Sequence, residues 1–231
     1  MTDTPREGAA QTGEPAAPPL LNIANILTMV RIALVPVFIW FLVLDADGQV
    51  FGAGTAEANN GGWRWAAAGV FALAVLTDKI DGDLARSRNL VTDFGKIADP
   101  IADKLLIGAG LVMLSLLGEL PWWVTVVILA RELGVTVLRM VVIRYGVMPA
   151  SRGGKLKTVL QSAGLQLMLL PLVVLASWLA DVAFWIMILA LVVTVVTGVD
   201  YLISAIRMRS RVRRDRADAP GPGRAGEPSD G

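Results

Sequence analysis

Residues 64–118 read RWAAAGVFALAVLTDKIDGDLARSRNLVTDFGKIADPIADKLLIGAGLVMLSLLG. Two apolar runs, 64–86 and 99–118, flank a short segment dense in Asp, Lys and Arg. A helix that crosses a bilayer needs about 20 mostly apolar residues. Each run therefore reaches that length only by carrying polar residues into one end, and those residues are Asp78, Asp81, Asp99 and Asp103. The first pair is spaced by three and the second by four, so on helices each pair shares one face. A short connection makes the helices antiparallel neighbours, and the four carboxylates converge at one end of the pair.

The rest of the chain extends this pattern. It has 231 residues, 55% of them hydrophobic, and a mean hydropathy of +0.60, which is too apolar for an ordinary soluble domain. Further apolar stretches at 25–44, 122–144, 158–177 and 183–206 bring the expected number of transmembrane helices to six, in an all-α membrane protein. Segments 45–63, 119–121 and 178–182 contain no Lys or Arg. By contrast, 86–98 carries Arg86, Arg88 and Lys96, and 144–157 carries Arg144, Arg152, Lys155 and Lys157. Arg207, Arg209, Arg211, Arg213, Arg214 and Arg216 crowd the end of the last stretch. Positive segments thus alternate with segments that are uncharged or acidic, which places both termini and the acid-rich segment in the cytosol. Trp63, Trp65, Trp122, Trp123, Trp178 and Trp185 fall at the opposite, outer ends, where indole rings favour the headgroup layer. Residues 1–19 read as a disordered cytosolic tail, 20–207 as one six-helix domain, and 208–231 as a basic and then disordered tail. The basic tail is attracted to anionic membrane lipid, and nothing in the charge distribution points to nucleic acid.

The chain contains neither Cys nor His, which excludes disulfides, thiolate or imidazole metal ligands and histidine acid–base chemistry. Carboxylates partly inside a membrane need compensation. Ion pairing with Lys79, Arg86, Lys96 or Lys104 within the segment is one answer, but Lys79 and Lys104 each directly follow an Asp, and successive helical residues do not face each other. An oxygen-only ligand set suits a hard cation, Mg²⁺ or Mn²⁺, and a set shared by two ions suits a substrate that carries phosphate. Gly82 and Ala85 leave room beside Asp81, Arg86 can hold a phosphate bidentately, Gly95 opens space at the start of the next helix, and Pro100 is tolerated in its first turn.

The pattern Asp78-x2-Asp81-Gly82-x2-Ala85-Arg86-x8-Gly95-x3-Asp99-x3-Asp103 resembles the signature of the CDP-alcohol phosphatidyltransferases at all eight specified positions. Asn25, Thr28 and Arg31 resemble that family's N-x-x-T-x-x-R element, with Ala24 where Pro often precedes the Asn. The resemblance covers residues 20–207 and implies the six-helix CDP-alcohol phosphotransferase fold, CDP-diacylglycerol as donor, two divalent cations and a homodimer in a bacterial inner membrane. It implies Asp78, Asp81, Asp99 and Asp103 as metal ligands, with Asp103 also taking the acceptor's proton. Asn25, Thr28, Arg31, Asp78, Gly82, Ala85, Arg86, Thr92 and Gly95 would then bind CDP-diacylglycerol. Two further strings, A-R-E-x6-R ending at Arg139 and G-K-x-K-T-x2-Q ending at Gln161, resemble the branch that takes sn-glycerol 3-phosphate. They imply acceptor contacts from Arg131, Arg139, Lys155 and Lys157; Glu132 and Arg139, seven apart on one helical face, can alternatively form an ion pair. Inositol phosphate is the competing acceptor. A transporter or a membrane scaffold with a metal site is the reading of another class, but carriers tend to show repeated or interrupted helices about a midplane site, and no repeat is visible here.

The charge alternation makes a topological prediction. A cysteine substituted for Gly54 reacts with an impermeant thiol reagent added outside intact cells, and one substituted for Ser151 does not; the reverse labelling would overturn the orientation.

Overall fold

A computed structural model describes residues 22–51, 57–87, 92–142 and 153–218. Among these the chain is helical and contains no strand: α1 Ile23–Asp45, a 3₁₀ turn Gln49–Phe51, α2 Gly62–Ser87, α3 Asp93–Leu116, α4 Trp122–Val142, α5 Gly153–Leu169, the single turn α6 Leu172–Leu175, and α7 Ser177–Asp218. Two helical segments, Asn25–Asp45 and Ser177–Met208, are long and apolar enough by themselves to cross a membrane. In α2, α3, α4 and α5, charged side chains interrupt the apolar surface. The tails at 1–21 and 219–231 lie outside the described residues.

Local chemistry sets the helix ends. Asn22 caps α1 by accepting the Asn25 amide at 2.9 Å, and Thr92 caps α3 by accepting the Gly95 amide at 3.0 Å. Gly118, at φ +73°, follows the C-cap of α3 in the left-handed conformation that a Cβ would oppose, and after α1 the chain turns through Asp47 and Gly48 at φ +50° and +75°. Pro171, which has no N–H to donate, separates α5 from α6.

Two boundaries differ from the sequence expectation. Helix α3 starts at Asp93 and not near 99, because Thr92 supplies the cap; Asp99 therefore lies in its second turn. The apolar stretch 158–177 is broken around Pro171, and the supposed connection 178–182 lies inside α7. Helix α7 then continues through the basic run to Asp218.

Helix α1 packs on α2 and α3, α5 and α4 pack on α7, and α2 and α3 meet α5. Phe38, Leu42, Phe71, Leu106, Leu111, Leu114, Ile128, Leu165, Leu169 and Met187 fill the core, with the Phe38 and Phe71 rings 5.6 Å apart. A Cβ on Gly110 would stand 3.3 Å from Leu165, and one on Gly164 would stand 3.2 Å from Met187. Small residues here allow the close helix approach on which packing in lipid depends. Outward, Trp40, Val126, Val137, Met140, Val196 and Ile206 are exposed, an apolar surface suited to acyl chains.

One end of the bundle is closed by a polar cluster that the sequence reading did not anticipate. Asp45, at the end of α1, accepts the Asn60 and Gly61 amides at 3.2 and 3.0 Å and so starts α2. Fully buried Arg64 pairs with Glu119 in the α3–α4 turn and donates to the carbonyls of Leu169 and Met168 at 3.0 and 2.9 Å. One guanidinium thus ties α2 to the α3–α4 turn and to the end of α5.

Replacing Arg64 by Leu strands the Glu119 carboxylate and two carbonyls, a loss on the order of 3 kcal/mol. Thermal unfolding in detergent should show a lower midpoint for Arg64→Leu and partial recovery when Glu119→Leu is added, because the second change removes the orphaned charge. An unchanged midpoint would show that the cluster does not hold this end together.

Candidate functional site

The other end of the bundle is open, and three helices meet there. Asn25, Thr28 and Arg31 occupy one face of α1 and are 2%, 1% and 0% exposed. Each reaches a different target. The Thr92 hydroxyl donates to Asn25 Oδ1 at 2.9 Å while capping α3, so α1 holds the start of the helix that carries Asp99 and Asp103. Thr28 Oγ1 donates to Asp99 Oδ1 at 2.6 Å. Arg31 Nη1 lies 2.5 Å from Asp78 Oδ1 on α2. The N-x-x-T-x-x-R element is therefore a brace that orients the acidic residues of α2 and α3. The spacing by three was legible in sequence; its partners were not, because they lie 47 to 71 positions away.

Gly95 sits inside this brace. A Cβ there would fall 2.9 Å from Asn25 Oδ1, 3.3 Å from Thr92 Oγ1 and 3.8 Å from Asp99 Oδ2. The absent side chain lets these three groups close around the first turn of α3. Gly82 lies on the last part of α2. The side chains of Asp81, Ala85, Arg86 and Lys155 lie outside the described residues. Among the described residues, no group of three or more carboxylates stands close enough to hold one metal ion. The donor chemistry nevertheless fits a hard cation: Asp78 keeps a side chain that is 46% exposed while Arg31 fixes one of its oxygens, Asp99 is held by Thr28, and the chain has no nitrogen or sulfur ligand of the His or Cys type.

Asp103 belongs to an adjoining cavity of about 130 Å³ between α3, α4 and α5, lined among others by Lys104, Glu132, Lys157, Thr158, Gln161 and Ser162. Lys157 pairs with Glu132, and Arg131 Nη1 also approaches Glu132 Oε1, at 3.4 Å. Lys104 Nζ donates to Thr136 Oγ1 at 2.5 Å, which fixes α3 to α4 beside the cavity. The Gln161 side chain is 3% exposed, and its Nε2 has no hydrogen-bond partner among the described residues. The cavity thus combines two carboxylates, ammonium groups and an amide donor, which suits a small phosphorylated polyol.

The four cations expected at the acceptor fall into different places. Lys157 lines the cavity. Arg131 contacts Glu132 on one side and Thr197 of α7 on the other, at 2.7 Å. Arg139 lies over the Tyr201 ring, 5.8 Å from its centroid. Glu132 is engaged by Lys157 and Arg131, not by the Arg139 that its sequence spacing suggested. Gln161 and Lys104 were quoted in sequence strings without a firm role; their place in the cavity shows only when α3, α4 and α5 are assembled.

The chain is similar to known proteins over most of its length. The family model described as CDP-alcohol phosphatidyltransferase matches residues 21–196. A "probable phosphatidylglycerophosphate synthase" of Mycobacterium tuberculosis is 49% identical over 195 residues, covering 84% of this chain and 87% of the relative. A "CDP-diacylglycerol--glycerol-3-phosphate 3-phosphatidyltransferase" of Bacillus subtilis is 38% identical over 186 residues, covering 79% of this chain and 94% of the relative. A "cardiolipin synthase (CMP-forming)" of Streptomyces coelicolor is 37% identical over 130 residues, but covers only 56% of this chain and 55% of the relative.

Proposed function

The chain belongs to the CDP-alcohol phosphatidyltransferase family, and from that membership we infer its reaction and the roles of its residues. It is an enzyme that transfers the phosphatidyl group from CDP-diacylglycerol to sn-glycerol 3-phosphate, giving phosphatidylglycerophosphate and CMP. The observation that carries the assignment of roles is the shared cavity: Asp103 and Lys157 line one space of acceptor size, beside the braced Asp78 and Asp99.

The donor's diphosphate lies against the ends of α2 and α3. Gly82 and Ala85 leave space for it and Arg86 contacts it, while Thr28 and Arg31 hold Asp99 and Asp78 and Asn25 holds Thr92, which caps α3 at Gly95. Asp78, Asp81, Asp99 and Asp103 would hold two divalent cations, Mg²⁺ or Mn²⁺, which when bound supply neutralisation of the phosphate charge. The family is generally dependent on divalent metal.

The acceptor occupies the cavity. Lys157 and Lys155 meet its phosphate, and Arg131 and Arg139 add positive charge along α4. Asp103 takes the proton from the primary hydroxyl. The hydroxyl oxygen forms a bond to the phosphorus that carries diacylglycerol, the bond from that phosphorus to the CMP oxygen breaks, and CMP leaves. The chain supplies position and charge, and no covalent enzyme intermediate is required.

The six long helices α1–α5 and α7 span a bacterial inner membrane, with both termini and the active site in the cytoplasm and membrane lipid against the exposed apolar surface. The protein works as a homodimer. The ends at 45–63 and 119–121, which hold no Lys or Arg, and the exposed Trp63, Trp65, Trp122 and Trp123 support this orientation.

An acceptor panel tests the reading. Purified protein supplied with CDP-diacylglycerol and Mg²⁺ or Mn²⁺ should release CMP with sn-glycerol 3-phosphate, and little with inositol phosphate, serine or glycerol. Asp103→Asn should lower kcat by about 10²- to 10⁴-fold, because an amide fills the site but accepts no proton. Turnover with inositol phosphate and none with glycerol 3-phosphate would refute the acceptor, and near-normal turnover by Asp103→Asn would remove the base.

A further inference from the structure

Beside the acceptor cavity, a chain of polar contacts runs away from the reacting groups into the apolar interface between α4 and α7. Glu132 lines the cavity and pairs with Lys157, and Arg131 Nη1 reaches the same Glu132 oxygen, Oε1. Arg131 Nη2 donates to Thr197 Oγ1 at 2.7 Å. The Thr197 hydroxyl donates in turn to the carbonyls of Val193 and Thr194, at 2.8 and 3.1 Å. That back-bond commits its proton to the helix and leaves a lone pair facing the guanidinium. The next residue is Gly198, where a Cβ would stand 2.9 Å from Arg131 Nε and 3.0 Å from its Cγ. Only a bare backbone lets the arginine stem cross α7 at this height.

The environment makes the arrangement costly unless it serves a purpose. Val127, Val135, Val137, Leu138, Val195 and Val199 line an apolar groove together with Arg131; the arginine side chain is 14% exposed, and its Nε has no partner among the described residues. A charge in such a place is expensive. A structural tie between α4 and α7 could be made by packing alone.

We infer that Thr197 and Gly198 of α7 are positioning residues for the acceptor cavity, acting through Arg131 and Glu132 on Lys157. The inference rests on the reading of that cavity as the glycerol 3-phosphate site. Two cations share one carboxylate oxygen. Arg131, anchored from behind by α7, holds Glu132 in place and weakens its exclusive hold on Lys157. Lys157 can then turn its ammonium protons to an incoming phosphate while Glu132 stays where it is. Without the α7 anchor, Glu132 and Lys157 move as a closed pair, and the acceptor meets a cation already neutralised.

The test compares Thr197→Val, Thr197→Ser, Gly198→Ala and, as a control on the same helix, Val196→Ala, in steady-state kinetics of the full-length protein with each substrate varied. Thr197→Val and Gly198→Ala should raise KM for glycerol 3-phosphate about three- to tenfold, with kcat and KM for CDP-diacylglycerol unchanged. Thr197→Ser keeps the lone pair and should restore the parent value; Val196→Ala should not change it. Should Gly198→Ala fail to fold, the Thr197 pair decides. An unchanged KM in Thr197→Val, a loss confined to kcat, or an equal shift in Val196→Ala overturns the inference while the parent enzyme still turns over glycerol 3-phosphate. Absence of that turnover in the parent overturns the acceptor reading itself.

Discussion

Carboxylates at the end of an apolar bundle need compensation, and α1 supplies it. Arg31, fully buried, stands against Asp78, while Thr28 stands against Asp99. A buried arginine without its carboxylate would be as unfavourable as the carboxylate without its arginine. The two requirements therefore fix each other, and in doing so fix α1 against both α2 and α3. Asn25 extends the brace to the cap of α3 through Thr92. Helix placement, the first turn of α3 and the aim of two Asp side chains all follow from three residues on one face of one helix.

The two ends of the bundle solve the same problem in opposite ways. At the end bearing the Trp residues, Arg64 pairs with Glu119 and donates to the carbonyls of Met168 and Leu169, so the cluster ties parts of the bundle together. At the other end, compensation is partial by design of the geometry. Asp78 remains nearly half exposed, and Asp103 lines a cavity with lysines and a Gln161 amide that has no partner among the described residues. Incomplete satisfaction at that end leaves oxygen ligands and hydrogen-bond donors available to a charged substrate and its metal ions.

Much of this was legible in sequence because it depends on periodicity. The Asp spacing and the N-x-x-T-x-x-R face repeat at helical intervals, and the long helices overlap the apolar stretches. What was missed depends on contacts distant in sequence. The true start of α3 hinged on the Thr92 cap, and the break at Pro171 was hidden inside a run apolar enough to pass as one span. Glu132 was read against Arg139 on its own helix, whereas the nearer cation is Lys157 on α5. The Arg64 cluster had no signal at all, since a single Arg before an apolar run looks like a flank until the α3–α4 turn folds over it.

The central claim is that the carboxylates of α2 and α3 form a divalent-metal centre, and direct binding measures it without relying on turnover. Electron paramagnetic resonance of Mn²⁺ titrated into the detergent-solubilised protein, with CDP-diacylglycerol present, should show two ions withdrawn from solution per chain. The Asp99→Ala protein, folded as judged by its helical circular dichroism, should lose that binding. Retention of both ions by Asp99→Ala, or no Mn²⁺ bound by the parent protein, would contradict the account.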